Sequence, residues 1–443
     1  MRTDTQKPRL LFLCQTLPYP PDSGVAIRSY HLIRLLSRVF DVTALCFYRR
    51  KGGLAPADPA PALAVLGQFA RVEAFPLPQE HSAVRLAWDH VRSVARNRVY
   101  SAFTYQSRPF ALRLRQLLGA RRFDLVHVDS IVLSHYFPLL AGLPVVCGHH
   151  NVESALLRRR ASAERGWRRA YLSFQARLME REERRWCEAC TLNVTVSDED
   201  RAQLETLVPG ARCAVVPNGV DTTQFRPNAG SGDGLVCVGE IGWFPNHDAL
   251  RYLCEDILPL VRAAGHEVPV RWVGRAPEAT CREYGQRHGV ELTGYVADIR
   301  PLVGDAACYV VPMRVGGGTR VKILDAWAMG KAVVSTSIGC EGLAAEDGQN
   351  ILIRDDPERF AHAVCAVLRN GALQQRLGAE GRRTVERLYD WEGLGEALLA
   401  SYTRLVAPSA PRRLAGTPRR AQRAQLADHH VSMQHERPGN VGH

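Results

Sequence analysis

Short apolar segments alternate with longer amphipathic segments along most of the chain. Segments such as Arg9–Gln15 and Val42–Tyr48 have the composition of buried strands, whereas the segments between them repeat apolar residues at helical spacing. The second half continues the pattern, with predicted strands at Leu235–Gly239, Val270–Gly274 and Cys308–Pro312. Alternating strands and helices predict an α/β protein with parallel, doubly wound sheets.

The chain has 443 residues, which is long for a single hydrophobic core, so we predict two domains. The Pro/Gly/Ser-rich segment 227–234 lacks the apolar periodicity on either side and is the expected hinge. We therefore place a first domain at 1–227 and a second at 228–388. One amphipathic helix is expected at 389–406. The remaining residues, 407–443, are rich in Pro, Ala, Arg and Gln, which predicts disorder.

Composition and charge narrow the class of protein. The net charge of +12 suits anionic partners such as phosphorylated ligands, a membrane surface or nucleic acid, but no nucleic-acid-reading motif accompanies it. Many of the twelve cysteines lie inside apolar strand-like segments, which favours buried thiols in a reducing compartment. No apolar run is long enough to span a bilayer, and the N-terminal one is too short for a signal peptide. We expect a cytoplasmic protein.

One stretch, YVVPMRVGGGTRVKILDAWAMGKAVVST from Tyr309 to Thr336, carries the clearest chemical pattern. It predicts a buried strand, a glycine turn, a helix and a second strand. Free N–H groups and the helix dipole make such a turn an anion site. Arg320 and Lys322 add positive charge in the first helical turn, where it opposes the dipole unless an anion is present. The alternative is a surface ion pair between Lys322 and Asp325 on an ordinary helix.

This stretch resembles the donor-binding segment of retaining glycosyltransferases of the GT-B fold, family-four type, and especially that of bacterial exopolysaccharide sugar transferases. Those carry a G-G-G-T-R-x-K-x-L-E-A-like run. The family has two glutamates here with seven residues between them; Asp325 matches the second, whereas the first falls on Gly317. The resemblance extends from about Arg9 to about Leu405. It implies two Rossmann-like domains facing across a cleft, with the C-terminal helix crossing back onto the first domain.

The resemblance also implies the chemistry: transfer of a sugar from a nucleoside diphosphate to a hydroxyl, with retention of configuration and without a metal or other cofactor. Arg320 and Lys322 would hold the diphosphate, and Asp325 would accept from the ribose hydroxyls. Further donor contacts are expected from Gly24, Arg275, Gly316, Gly317, Gly318 and Thr319. Relatives place an Arg and a Lys after the first strand of the second domain, where this chain reads VGEIGWFPNHD.

A second motif, GHHNVES, follows the predicted strand Leu143–Cys147. Two histidines with polar neighbours at a strand-to-helix corner suggest a functional site, although a structural role is the alternative. Metal binding by the two histidines is another alternative, but no third ligand is apparent in the sequence. The motif is similar to the acceptor-side motif of the family, in which His150 would face the sugar. Asn151 lies beside it, and Glu153 is a candidate to orient the imidazole ring.

Two matters stay open at this point. Related enzymes commonly use lipid-linked acceptors, and the arginines from Arg158 to Arg169, interleaved with aromatic residues, suggest peripheral contact with an anionic membrane. The alternative is a solvated helix, predicted to run from about 155 to about 190, whose arginines pair with glutamates. The missing glutamate at Gly317 also admits a catalytically inactive GT-B nucleotide-sugar-binding protein, and a sugar-nucleotide epimerase shares the fold.

Overall fold

The computed structural model describes residues 7–49, 58–78, 83–227, 232–316 and 320–406. Part of the expected hinge and the whole segment 407–443 lie outside these residues, so the hinge position and the disorder of the tail stay predictions. Two parallel sheets organise the described residues. None of the helices in those ranges is long and apolar enough to cross a membrane.

The first sheet has the strand order β3-β2-β1-β4-β5-β6-β7 among the described residues, and every pair is parallel. Strands β1 to β7 are Arg9–Cys14, Asp41–Tyr48, Arg71–Pro76, Leu125–Val128, Val145–Gly148, Leu192–Thr195 and Cys213–Val215. Helices α1 to α8 are Gly24–Leu36, Ala60–Leu66, Ala83–Ala95, Ser101–Thr104, Arg108–Ala120, Glu153–Ala163, Gly166–Cys187 and Asp198–Leu207. Separate apolar clusters cover the two faces of the sheet.

The second sheet repeats this plan with the order β10-β9-β8-β11-β12-β13, again with parallel pairs. Strands β8 to β13 are Gly234–Val238, Val270–Val273, Val290–Leu292, Ala306–Val311, Val333–Ser335 and Leu352–Ile353. Helices α9 to α16 are Phe244–Tyr252, Leu258–Ala263, Glu278–His288, Arg300–Gly304, Val321–Ala328, Pro357–Arg369, Gly371–Leu388 and Trp391–Val406. The predicted fold class, two doubly wound Rossmann-like domains, is confirmed.

One helix prediction was wrong. The expected single helix from 155 to 190 is broken into α6 and α7, because Glu164 and Arg165 adopt extended backbone angles. Gly166 then has φ of +57°, a left-handed conformation that glycine tolerates without strain. The break turns α7 back against α6 as an antiparallel neighbour, so the arginines of 158–169 do not form one continuous face.

The C-terminal helix α16 packs on the first sheet domain, as the resemblance implied. Trp391 stacks on His31 of α1 at 4.8 Å between ring centroids. The Tyr402 hydroxyl lies 2.8 Å from Nδ1 of His127 on β4. Both sheets reverse their strand order next to their first strand, between β1 and β4 and between β8 and β11. Ligands of open α/β sheets bind outside the carboxyl ends at such switch points.

Candidate active site

A cleft of about 340 Å³ lies between the two sheet domains. The loop before α1 and residue His31 line it from the first domain. Glu240, Arg275 and Asp325 line it from the second, near the carboxyl ends of β8, β9 and β11. The cleft therefore occupies the position that the fold favours for a ligand.

Asp325 is the most unusual group in this cleft. It is the fifth residue of α13. Its neighbours Leu324 and Ala326 are fully buried and fix the helix on the sheet. The residue is only 9% exposed, and burial raises the pKa of its carboxyl to about 7. Among the described residues, no side chain donates a hydrogen bond to this carboxylate. A buried acceptor without a donor is costly, and a ligand hydroxyl would satisfy it.

Lys322 lies on the same helix and points beneath the turn between β8 and α9. Its Nζ donates to Oδ1 of Asn246 at 2.9 Å, rather than pairing with Asp325, so the surface-ion-pair alternative is wrong. Burial and the nearby charge of Arg320 lower the pKa of Lys322 to about 8. The ammonium therefore lies against the start of α9.

Arg320 immediately precedes α13 and is 4% exposed. Its Nη2 donates to the carbonyl of Ile338 at 3.3 Å, and burial lowers its pKa to about 10. Its guanidinium lies so close to Gly316 that a Cβ there would come within 2.5 Å of Nη2. Gly316 also has φ of +151°, which favours glycine. Gly317, Gly318 and Thr319 lie outside the described residues, and their predicted donor contacts stay predictions.

Two further predicted donor contacts lie at the boundary between the domains. Gly24 begins α1, and a Cβ on it would lie 3.8 Å from Cγ2 of Val321, so the start of α1 approaches the start of α13. Arg275 lines the cleft with its guanidinium 4.3 Å above the ring of Tyr295. Its Nη2 lies 3.8 Å from Oδ2 of Asp22 in the first domain. The structure thus brings Arg275 to the cleft and Gly24 to the boundary between the domains.

His150 lies at the carboxyl end of β5, with Nε2 3.3 Å from Oδ1 of Asp129. Asp129 follows β4 and is buried, and it accepts a hydrogen bond from Oγ of Ser29 at 3.0 Å. Burial would raise the pKa of Asp129, but His150, His127 and Ser29 together lower it. The group next to the His150 ring is therefore Asp129, a residue that the GHHNVES motif does not include, and not the predicted Glu153.

The other residues of the GHHNVES motif have different surroundings. His149 is 1% exposed, its Nε2 lies 3.0 Å from Oδ1 of Asn193, and burial lowers its pKa to about 4. It is a neutral core histidine. Glu153 begins α6, and burial together with the charges of Glu183 and Asp200 raises its pKa to about 7. Oδ1 of Asn151 is buried and accepts no hydrogen bond among the described residues.

The model of the family "Glycosyltransferase Family 4" matches residues 23–224, and the model "Glycosyl transferases group 1" matches residues 232–370. The first match lies within the first sheet domain and the second within the second. Each sheet domain thus matches the model of a glycosyltransferase family.

Curated relatives match over shorter spans. A phosphatidyl-myo-inositol mannosyltransferase of Mycobacterium leprae is 26% identical over 49% of this chain and 60% of its own length. The lipopolysaccharide core biosynthesis glycosyltransferase LpsE of Rhizobium meliloti is 30% identical over 25% of this chain and 33% of its own length. The chain thus spans between one third and three fifths of these relatives.

Solved structures show the same GT-B fold over nearly the whole chain. The complex of Anabaena HepE with UDP and glucose has a TM-score of 0.63 at 14% identity, covering 89% of this chain and 99% of that one. Sucrose-phosphate synthase from Thermosynechococcus elongatus has a TM-score of 0.64 at 18% identity, covering 90% and 100%.

In this GT-B chain, the predicted residues separate into two groups. Asp325, Lys322, Arg320, Gly316 and Arg275 lie on the second domain. Gly24 and the GHHNVES residues lie on the first. Across the described segments, no group of three or more His, Cys, Asp and Glu is arranged to hold a metal ion. The absence of a metal requirement stays a prediction.

Proposed function

We propose that this protein transfers a sugar from a nucleoside-diphosphate-sugar to a hydroxyl of a glycan or lipid-linked acceptor, with retention of configuration, in the synthesis of an exopolysaccharide or another cell-surface glycan. The observation that carries the proposal is the buried carboxylate of Asp325, which faces the cleft without a donor. A ribose hydroxyl is a donor of suitable size and chemistry. The family matches and the UDP-bound structural neighbours support this choice.

In the proposed reaction, the bond between the sugar C1 and the diphosphate oxygen breaks, and C1 bonds to the acceptor oxygen. The acceptor proton leaves with the diphosphate. Negative charge develops on the diphosphate, so positively charged groups fixed beforehand stabilise the transition state more than the ground state. Arg320 and the start of α13 are assigned this role, with Lys322 adding charge beneath the β8–α9 turn. His150, held beside Asp129, faces the sugar from the first domain.

The transfer reaction can be tested directly. The protein is incubated with UDP- and GDP-sugars and a prenyl-diphosphate-linked glycan, and nucleotide release is measured together with the anomeric configuration of the product by NMR. The proposal expects release that depends on the acceptor, with the donor configuration retained. The absence of glutamate at Gly317 favours the second candidate, an inactive sugar-nucleotide-binding protein, which would bind the donor without release. An epimerase would convert the donor without any acceptor.

We also propose that the first domain contacts an anionic membrane through helix α3, where a lipid-linked acceptor would be reached. Val84, Trp88 and Val91 recur at helical spacing on α3 and are 78%, 59% and 55% exposed. Trp167 on α7 is 76% exposed, and α7 packs beside α3 through a contact between Tyr171 and His90. Arg85 and Arg92 on the same helix each pair with Asp89, and Arg96 directly follows the helix. An apolar face with basic neighbours is typical of interfacial helices.

This assignment differs from the arginine cluster that the sequence suggested. Arg158 pairs with Glu180, and Arg159 pairs with Glu341, so both arginines have partners within the protein. The double change Trp88→Ser and Val91→Ser should reduce sedimentation with vesicles containing phosphatidylglycerol and slow transfer to a lipid-linked acceptor. Transfer to a short water-miscible acceptor should be unchanged. Equal sedimentation of the wild type and the double variant would contradict the α3 assignment.

A further inference from the structure

Arg159 connects the two sheet domains by a contact that neither the sequence motifs nor the family matches assign. It lies on α6, six residues after Glu153, which begins that helix. Its Nη1 lies 2.6 Å from Oε2 of Glu341, and its Nη2 lies 2.8 Å from Oε1 of the same carboxylate. Glu341 belongs to the second domain and follows a short 3₁₀ helix after β12. The pair is therefore a bidentate bridge between the two sheet domains.

The same guanidinium also binds the backbone of the glycine turn. Nη1 of Arg159 donates to the carbonyl of Gly316 at 3.0 Å. Gly316 is also approached by the guanidinium of Arg320, whose charge is close enough to Arg159 for the two to influence each other. The first residue of the glycine turn is thus held between two arginines, one from each domain. A planar guanidinium can satisfy a carboxylate and a carbonyl together, which an ammonium cannot do with the same geometry.

We infer that Arg159 is a positioning residue that holds Gly316, and with it Arg320 and the start of α13, in place for the donor diphosphate and holds the two sheet domains together. The inference rests on the proposed function, because that function assigns the diphosphate to Arg320 and the start of α13. Helix α6 starts at the acceptor-side motif, and about 9 Å along its axis it reaches the donor-side turn. One short helix therefore touches both halves of the cleft. Binding on one side can in this way favour binding on the other.

The bridge has a matched control on the same helix. Arg158, the adjacent residue, pairs with Glu180 of α7 inside the first domain. Arg158→Ala removes the same charge from α6 but leaves the contact across the cleft intact. Arg159→Ala removes the contact to both Glu341 and Gly316, whereas Glu341→Gln weakens only the carboxylate part. Arg159→Lys keeps the positive charge but loses the planar guanidinium that binds the Glu341 carboxylate and the Gly316 carbonyl together.

The first measurement is calorimetric titration of the wild type, the four single variants and the double variant Arg159→Ala with Glu341→Gln, each with UDP and with GDP. We expect Arg159→Ala to weaken binding of the preferred nucleotide about tenfold. Arg159→Lys should recover only part of that loss, Glu341→Gln should be intermediate, and Arg158→Ala should match the wild type. The double variant Arg159→Ala with Glu341→Gln should be no weaker than Arg159→Ala, because both changes remove one contact. Equal affinity of Arg159→Ala, Arg158→Ala and the wild type would overturn the inference.

The second measurement separates this inference from the proposed function. Small-angle X-ray scattering of the proteins without nucleotide reports the distance between the domains. Arg159→Ala should show a larger radius of gyration than Arg158→Ala and the wild type, even if no nucleotide binds to any of them. If the wild type binds neither UDP nor GDP but Arg159→Ala opens, the donor assignment fails and the bridge stands. If Arg159→Ala keeps the wild-type dimensions, the bridge does not hold the cleft, and the inference is wrong.

Discussion

The second domain forms the proposed donor half of the cleft and the first domain forms the proposed acceptor half. The buried charged groups of the two halves differ in how far they are paired within the protein. In the second domain, Asp325 faces the cavity without a hydrogen-bond donor among the described residues. Burial raises the pKa of Asp325 and lowers those of Lys322 and Arg320, and each shift favours the neutral form of the side chain. In the first domain, His150 and Asp129 lie against each other, and Ser29 completes the carboxylate. The proposed donor half thus has a buried carboxylate that a ligand hydroxyl would satisfy, whereas in the proposed acceptor half the buried carboxylate of Asp129 already has partners within the protein. A ligand should stabilise the donor half more than the acceptor half.

The largest effect is expected in the acceptor half. His150→Ala should lower the rate of transfer by roughly 10²–10³, as the loss of one group placed to stabilise the transition state does, while leaving nucleotide affinity nearly unchanged. The measurement compares transfer rates with nucleotide titrations. The transfer rate of Asp129→Asn should lie between those of His150→Ala and the wild type, since this change removes the negative charge beside the His150 ring. A parallel loss of nucleotide affinity in His150→Ala would contradict the division of the cleft into two halves.

His149→Ala provides a contrast within the same motif. His149 is buried beside Asn193, so its removal should lower the free energy of unfolding by roughly 1–3 kcal/mol through a lost buried hydrogen bond. Transfer per folded molecule should remain. Thermal melting followed by activity at a permissive temperature measures both quantities.

The next effect belongs to the donor half. Arg320→Ala should lower kcat/KM by about a hundredfold, because it removes a buried cation assigned to the leaving diphosphate. Arg383→Ala is the matched control, since Arg383 pairs with Glu380 on the exposed face of α15. Steady-state kinetics with the donor varied decides the outcome, and unchanged kcat/KM in Arg320→Ala would refute the assignment.

The contribution of Asp325 to the stability of the protein should depend on pH. Its pKa in the folded protein is about 7 and its ordinary value is 3.8, so the folded state binds the proton more tightly. Stability from this group is present below about pH 4 and is lost as the pH rises to 7, by roughly 4 kcal/mol at most. Asp325→Asn should flatten that slope and melt higher than the wild type at pH 8. A wild-type slope retained in Asp325→Asn would rule out Asp325 as its source.

The smallest effect distinguishes two carboxyls with similarly raised pKa values. A bound nucleotide should lower the pKa of Asp325, because a ribose hydroxyl favours the ionised form. The pKa of Glu153 is raised to about 7 by burial and by Glu183 and Asp200, and it lies in the other half. NMR titration of the two side chains with and without UDP should move only Asp325. A shift at Glu153 alone would reverse the assignment of the halves.

The donor half was largely predictable because its residues are close together in the sequence. Gly316, Arg320, Lys322 and Asp325 fall within ten positions, and strand, turn and helix patterns place them in order. The pattern could not show which partner each of these side chains contacts. Whether Lys322 pairs with Asp325 or with Asn246 depends on how the β8–α9 turn packs against α13, and that contact joins residues 76 positions apart.

The acceptor half was predictable only in part, because it is assembled from distant segments. His150, Asp129 and Ser29 come from β5, the end of β4 and α1, which the sheet order brings together. Asp129 does end a strand-like segment of the sequence, FDLVHVD, and that position is the signal that could have found it. The break before Gly166 and the bridge from Arg159 to Glu341 depend on packing between domains, which hydrophobic periodicity does not encode.

The central claim is that the cleft binds a nucleoside diphosphate through Asp325. The most direct test is a thermal-shift panel of UDP, GDP, ADP, CDP and dTDP at pH 8, run on the wild type and on Asp325→Asn. At one hundred times its dissociation constant, the preferred nucleotide should add about 2.7 kcal/mol of apparent stability to the wild type and clearly less to Asp325→Asn. If no nucleoside diphosphate stabilises the wild type, or if one stabilises both proteins equally, the claim is contradicted.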